Sequence, residues 1–127
     1  MKTAFTFTFH MLHGATPTAL QITLTYGVAA LGAITALIIL GTDTVGIIVA
    51  LVCADWLGGV VSISSRSTRM FWASLPRIMV YVFCAVHLAM LPVIWWLVDG
   101  AAEFAFLWPI LIAKVAVFLI GQAEHRT

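Results

Sequence analysis

Two ionisable side chains stand inside long apolar runs. Asp55 interrupts the run from Val45 to Ile63, and Lys114 interrupts the run from Phe104 to Gly121. If both runs are helices crossing lipid, the acid and the amine reach the same depth when counted from one face. A lone charge at mid-bilayer costs on the order of 3 kcal/mol on insertion scales, so two independent ones would burden a chain of 127 residues heavily. Pairing Asp55 with Lys114 relieves most of that cost and decides which faces of the two helices meet. Such a pair serves either as a polar pin or as a functional site, and burying it need not add net stability. His87 lies near the middle of a third run, Ile78 to Val98. A histidine there can ligate haem or relay protons, although a hydrogen bond to a neighbouring helix is its commoner fate. No second histidine falls at a matching depth. His10 and His13 share a face if their segment is helical, but they lie near the membrane surface, where solvent satisfies them equally well. Neither a metal nor a cofactor is expected.

Small residues surround the charge. Ala50, Ala54 and Gly58 recur at four-residue spacing, and Gly59 lies one turn beyond Asp55. Ala29 with Ala33, Gly32 with Ala36, and Ala85 with Ala89 repeat the pattern in the first and third runs. Such ladders let helices approach closely in lipid, where no hydrophobic drive brings them together. Association with copies of the chain, or with other membrane subunits, is expected. Cys53 and Cys84 fall inside apolar runs and read as small buried hydrophobes. There is no serine–histidine pair at one depth, no glycine loop to cradle phosphate and no pair of carboxylates, so the chain does not read as an enzyme.

The elements that carry these residues follow from composition. With 63% hydrophobic and 9% charged residues, the chain has too little polar surface to coat a water-soluble globule. Backbone groups in hydrocarbon must be satisfied within the chain, and unbroken rather than alternating apolar runs select helices over a barrel. Four spans are expected, each near the roughly 20 residues a crossing needs: Ala19 to Leu40, Val45 to Ile63, a third continuous from Ile78 to Val98 but starting near Phe71, and Phe104 to Gly121. Pro76 is expected in the first turn of the third span, with Pro92 kinking it. Residues 1–18 read as a short amphipathic segment lying along the membrane, with Phe5, Phe9 and Leu12 on one face. Residues 19–122 form a single transmembrane domain, and 123–127 a polar tail. Ser64 to Arg69 reads as a polar basic loop. Lys2, Arg66, Arg69, Arg77 and Arg126 all fall on one side of this arrangement, whereas Asp43, Asp99 and Glu103 fall on the other. The positive-inside rule then puts both termini in the cytoplasm of a bacterial inner-membrane protein. Trp95, Trp96 and Trp108 would lie near the outer interface and Trp72 near the inner one. A net charge of +1 leaves no nucleic-acid footprint.

From Cys53 to the end, roughly the last 75 residues, the chain resembles the phage holin family that includes toxin-secretion holins. The likeness rests on Ala54-Asp-Trp-Leu-Gly-Gly-Val-Val-Ser62, on the serine-rich basic loop after it, and on Ala85-Val86-His87-Leu88. Asp99 closing the third span and a charged residue inside the last add to it. The last span carries Lys114 where the family tends to have an acid, and the basic loop is poorer in lysine and glycine. The resemblance implies a protein that oligomerises in the cytoplasmic membrane and forms lesions releasing a lytic enzyme or a toxin. In that mechanism Asp55, Ser62, His87 and Lys114 turn to line water. Two other readings compete: a small accessory subunit of a respiratory, photosynthetic or secretion complex, and a small ion-coupled transporter or channel that uses Asp55 and Lys114.

Overall fold

The computed structural model describes residues 2–99 and 105–126, with the side chains of residues 2, 3, 125 and 126 left aside. The described chain is helical: α1 (Lys2–His13), α2 (Ala19–Leu40), α3 (Thr44–Ser64), α4 (Arg66–Ser74), α5 (Arg77–Leu97) and α6 (Leu107–Arg126). Four of these stretches are long and apolar enough to cross a membrane: α2, α3, α5 and Leu107–Glu124 of α6. Phe104 and Glu103 lie outside the described residues.

Helix ends follow local chemistry. The Thr18 side chain accepts from the Gln21 amide and starts α2, and Gly41 ends it at φ 86°, a backbone conformation that disfavours a side chain. Asp43 Oδ1 then accepts from the Gly46 amide at 2.8 Å to cap α3. The connection is so short that α2 and α3 must pack as an antiparallel hairpin. Small residues bring their backbones together. A methyl group on Gly58 would stand 2.8 Å from Ala29 Cβ and 3.0 Å from the Thr25 carbonyl oxygen, and one on Gly32 would stand 2.6 Å from Leu57 Cδ1. The ladder on α3 and its counterpart on α2 are therefore used within one chain, rather than left free for copies of it.

Between α3 and α5 the structure corrects the expectation drawn from sequence. Most of the stretch expected to be a basic loop is helix: Ser65 caps α4, its hydroxyl accepting from the Thr68 amide. Phe71 and Trp72 belong to α4 rather than to a long third span, and Pro76 precedes α5 instead of sitting in its first turn. Trp72 is no interfacial anchor, being 2% exposed. The expected polar tail is also helical, since α6 runs on to Arg126. Its register is held by Arg69, which reaches Glu124 at 3.0 Å across the gap that Gly121 leaves open.

The amino-terminal helix does more than lie along a surface. Its last carbonyls have no partner inside α1, and other elements supply them. Trp72 Nε1 donates to Met11 O at 2.9 Å, Ser62 Oγ and Thr68 Oγ1 donate to Leu12 O, and Gln21 Nε2 donates to His13 O at 3.0 Å. Gly14, at φ 76°, turns the chain where any side chain would strike the backbone of Ser67. His13, expected near solvent, is fully buried. Phe5, by contrast, remains 75% exposed, so the expected Phe5, Phe9 and Leu12 face is buried only toward its carboxyl end.

Apolar packing falls into two buried clusters, with half-buried Val115 packed against both. One, toward the Asp43 and Asp99 end, joins α2, α3, α5 and α6 through Ala36, Val49, Trp56, Leu91, Ile94, Leu107 and Leu111. The other, toward the arginine-bearing end, is built from Ile63, Trp72, Val80, Cys84 and Phe118. Polar residues occupy the seam between them.

Candidate functional site

Asp55, His87 and Lys114 each stand near the midpoint of their own helix. Tertiary packing brings them together in the seam. Lys114 Nζ lies 2.7 Å from Asp55 Oδ2, 3.1 Å from the Asp55 carbonyl oxygen and 2.9 Å from His87 Nε2. An ammonium group has three donors and no acceptor, so these contacts use all of it. That saturation makes burial tolerable for a side chain only 2% exposed.

The tautomer of His87 follows from its neighbours. Nδ1 is 2.8 Å from the carbonyl oxygen of Phe83 one turn earlier. A peptide oxygen can only accept, so Nδ1 carries the proton. Nε2 then presents a lone pair, which accepts from the Lys114 ammonium. With Asp55 ionised, Lys114 charged and His87 neutral, the group carries no net charge. His87 Nε2 and Asp55 Oδ2 are 3.4 Å apart; in this state both are acceptors, and a proton on Nε2 would join them directly.

Gly59 makes room for the amine. A methyl there would stand 2.5 Å from Lys114 Cε and 2.7 Å from Nζ. On the arginine-bearing side, aromatic rings close over the group. The Phe83 centroid lies 4.1 Å from that of His87, 4.4 Å from Phe118 and 5.0 Å from Trp72, and the Lys114 ammonium stands 5.7 Å from the Phe83 ring centroid. On the other side Trp56 and Leu111, both fully buried, belong to the first apolar cluster. The site is thus sealed along the helix axes and open sideways, since the Asp55 side chain remains 49% exposed. Its Oδ1 has no hydrogen bond among the described residues.

Other residues singled out from sequence fall elsewhere. Ala50 is buried in the first cluster, Ala54 is half-buried and Gly58 lies against α2. Arg66 and Arg77 are exposed at the arginine-bearing end. Ser62 is committed to α1 and does not join the triad. Among the described residues no three histidine, cysteine or acidic side chains gather as metal ligands; between Asp55 and His87 an ammonium stands where a cation would. The aromatic lid was not foreseen. The one signal for it was the spacing of Phe83 and His87, which puts them on one face of α5.

Compared with known proteins, the chain matches no family model, no curated relative and no solved structure.

Proposed function

We propose that this protein is a small proton-coupled channel or transporter that crosses the bacterial inner membrane four times with both termini in the cytoplasm, and that Asp55, Lys114 and His87 are its coupling site. One observation carries this reading: three titratable groups from three helices meet at one depth, between two apolar seals, with their hydrogen bonds nearly complete. Ionisable groups inside spanning helices commonly mark proton or ion pathways, and coupling sites tend to lie near the bilayer midplane.

The site has capacity for one more proton. Reaching the site past one of the two apolar seals, it can reside on the Asp55 carboxylate or on His87 Nε2. On Nε2 it takes the lone pair that accepts from Lys114, and on the carboxylate it removes the ammonium's counter-charge; either position leaves the group with a charge of +1. That uncompensated charge favours a rearrangement that admits water past the Phe83, Phe118 and Trp72 rings, because hydrophobic constrictions gate by wetting. The ladders of α2 and α3 favour this reading over a lesion former, since they hold the chain's own helices together.

The holin-like reading keeps one specific support. Ala85 and Ala89 are exposed on α5, the helix that carries His87, so this edge could meet another copy. Liposomes separate the two. Purified protein in vesicles holding both a pH indicator and a trapped dye should collapse an imposed pH gradient while retaining the dye, and Asp55→Asn and Lys114→Met should lose the flux. Release of the dye at the same protein density would reverse the order of the two readings. No proton flux and no leakage would overturn both and favour an accessory subunit of a larger membrane complex.

A further inference from the structure

At the opposite end from the arginines, α5 and α6 border an open cavity of about 420 Å³ lined by Pro92, Trp95, Trp96, Asp99 and Trp108. Three of the chain's five tryptophans line it. Their arrangement differs from a belt of indoles lying side by side along lipid. Trp95 on α5 and Trp108 on α6 face each other edge to face, with centroids 5.8 Å apart and planes 69° apart. Two indole walls thus meet at a corner. Asp99, just past the end of α5, lines the same cavity as the indoles.

Asp99 is the only non-glycine residue with positive φ, 55°, among the described residues. Glycine would adopt that conformation more cheaply, and Gly100 is the next residue. Aspartate tolerates it better than most side chains do, so a carboxylate can stand where the helix stops. No cation among the described residues pairs with it. Asp43, the other described acid at this end, is committed to capping α3.

We propose that this corner is a binding site for an alkylated ammonium group, of the choline or tetramethylammonium class. Indole faces attract cations through their quadrupole, and quaternary ammonium is the cation such aromatic cages recognise. Its methyl groups fill an apolar cavity, and its charge, weakly hydrated, is met by Asp99. A calcium ion would need six to eight oxygen ligands, and the cavity supplies one carboxylate. The volume suits a small ligand or headgroup. The site lies at the end of α5, away from the triad at its middle, and does not depend on the proton-coupling reading.

The test uses full-length protein in nanodiscs of phosphatidylglycerol, titrated with tetramethylammonium chloride against sodium chloride at equal ionic strength, with tryptophan fluorescence as the signal. A saturable change specific to tetramethylammonium is expected, and Asp99→Asn should raise the half-saturation concentration by about ten-fold. Trp108→Leu should remove saturation altogether. Saturation-transfer NMR from the N-methyl protons to indole protons checks the contact in the unaltered protein, independently of how the variants fold. A linear response equal to that of sodium, or no transfer to indole, would overturn the proposal. Nanodiscs of phosphatidylcholine identify the source: loss of the tetramethylammonium response there means that lipid headgroups fill the cage, and an unchanged response means a free organic cation. Both of these outcomes uphold the cation chemistry.

Discussion

Gly59 and Lys114 share one space: the side chain that the glycine lacks is replaced by the aliphatic stem of the lysine one helix away. Gly59→Ala should push the amine from its three acceptors, destabilise the protein by roughly 1–3 kcal/mol as overpacking does and abolish proton flux. Gly27→Ala is the control. Nothing lies within 4 Å of the methyl it adds, and alanine is the better helix former by up to about 1 kcal/mol. Thermal unfolding of both variants in one detergent distinguishes a shared space from a general intolerance of alanine.

Removing one partner of a buried pair is costlier than removing both. Lys114→Met leaves Asp55 without its counter-charge and should cost about 3–5 kcal/mol, whereas adding Asp55→Asn to the same protein should recover much of that loss. Denaturant titration followed by circular dichroism measures the difference. Equal stability of the single and double variants would mean that the two groups are not coupled.

The two most deeply buried tryptophans should respond to the same substitution with losses of different size. Trp72 donates to the Met11 carbonyl, so Trp72→Phe orphans a carbonyl and should cost about 1–3 kcal/mol, loosening α1. Trp56 is buried with no partner for its indole nitrogen among the described residues, so Trp56→Phe removes an unsatisfied donor and should cost clearly less, by the same unfolding measurement.

Docking of α1 should depend on pH through His13. Its Nε2 is 3.0 Å from the Tyr26 hydroxyl, and Nδ1 is buried without a partner among the described residues. Burial holds its pKa below the ordinary 6.5. The undocked helix, with an unperturbed histidine, therefore takes up a proton first as the pH falls. Docking should be strongest above 6.5, weaken as the pH drops through that value, and level off below the lowered pKa of the docked state. Hydrogen exchange of the α1 amides, corrected for intrinsic rates, reads this directly, and His13→Gln should flatten the profile.

The spans were the most legible part of the sequence. Unbroken apolar runs put α2 at Ala19 to Leu40, as found, and α3 within a residue of its observed ends. The stretch from Arg66 to Ser74 was misread because its serines, threonine and arginines look like a loop, although Ser65 three residues before Thr68 is a helix start. Equal depth made Asp55 and Lys114 candidates for each other. That His87 would be the third member was not readable, since depth is set by position along α5 whereas facing depends on how α5 rotates against α6. The commitment of the small-residue ladders to the α2–α3 hairpin was hidden for the same reason. A ladder specifies close approach, and the partner is chosen by connection length and tertiary packing.

The division of the apolar interior into two clusters bears on how such a molecule can move. A continuous core yields as a whole, because each side chain leans on the next. Here a layer of hydrogen-bonded charge separates two oily blocks, so the rings above the arginines can part while the indole and leucines on the far side stay closed, or the reverse. On the proposed reading, a thin protein partitioned in this way would work like a lock with two doors, with the lysine standing between them.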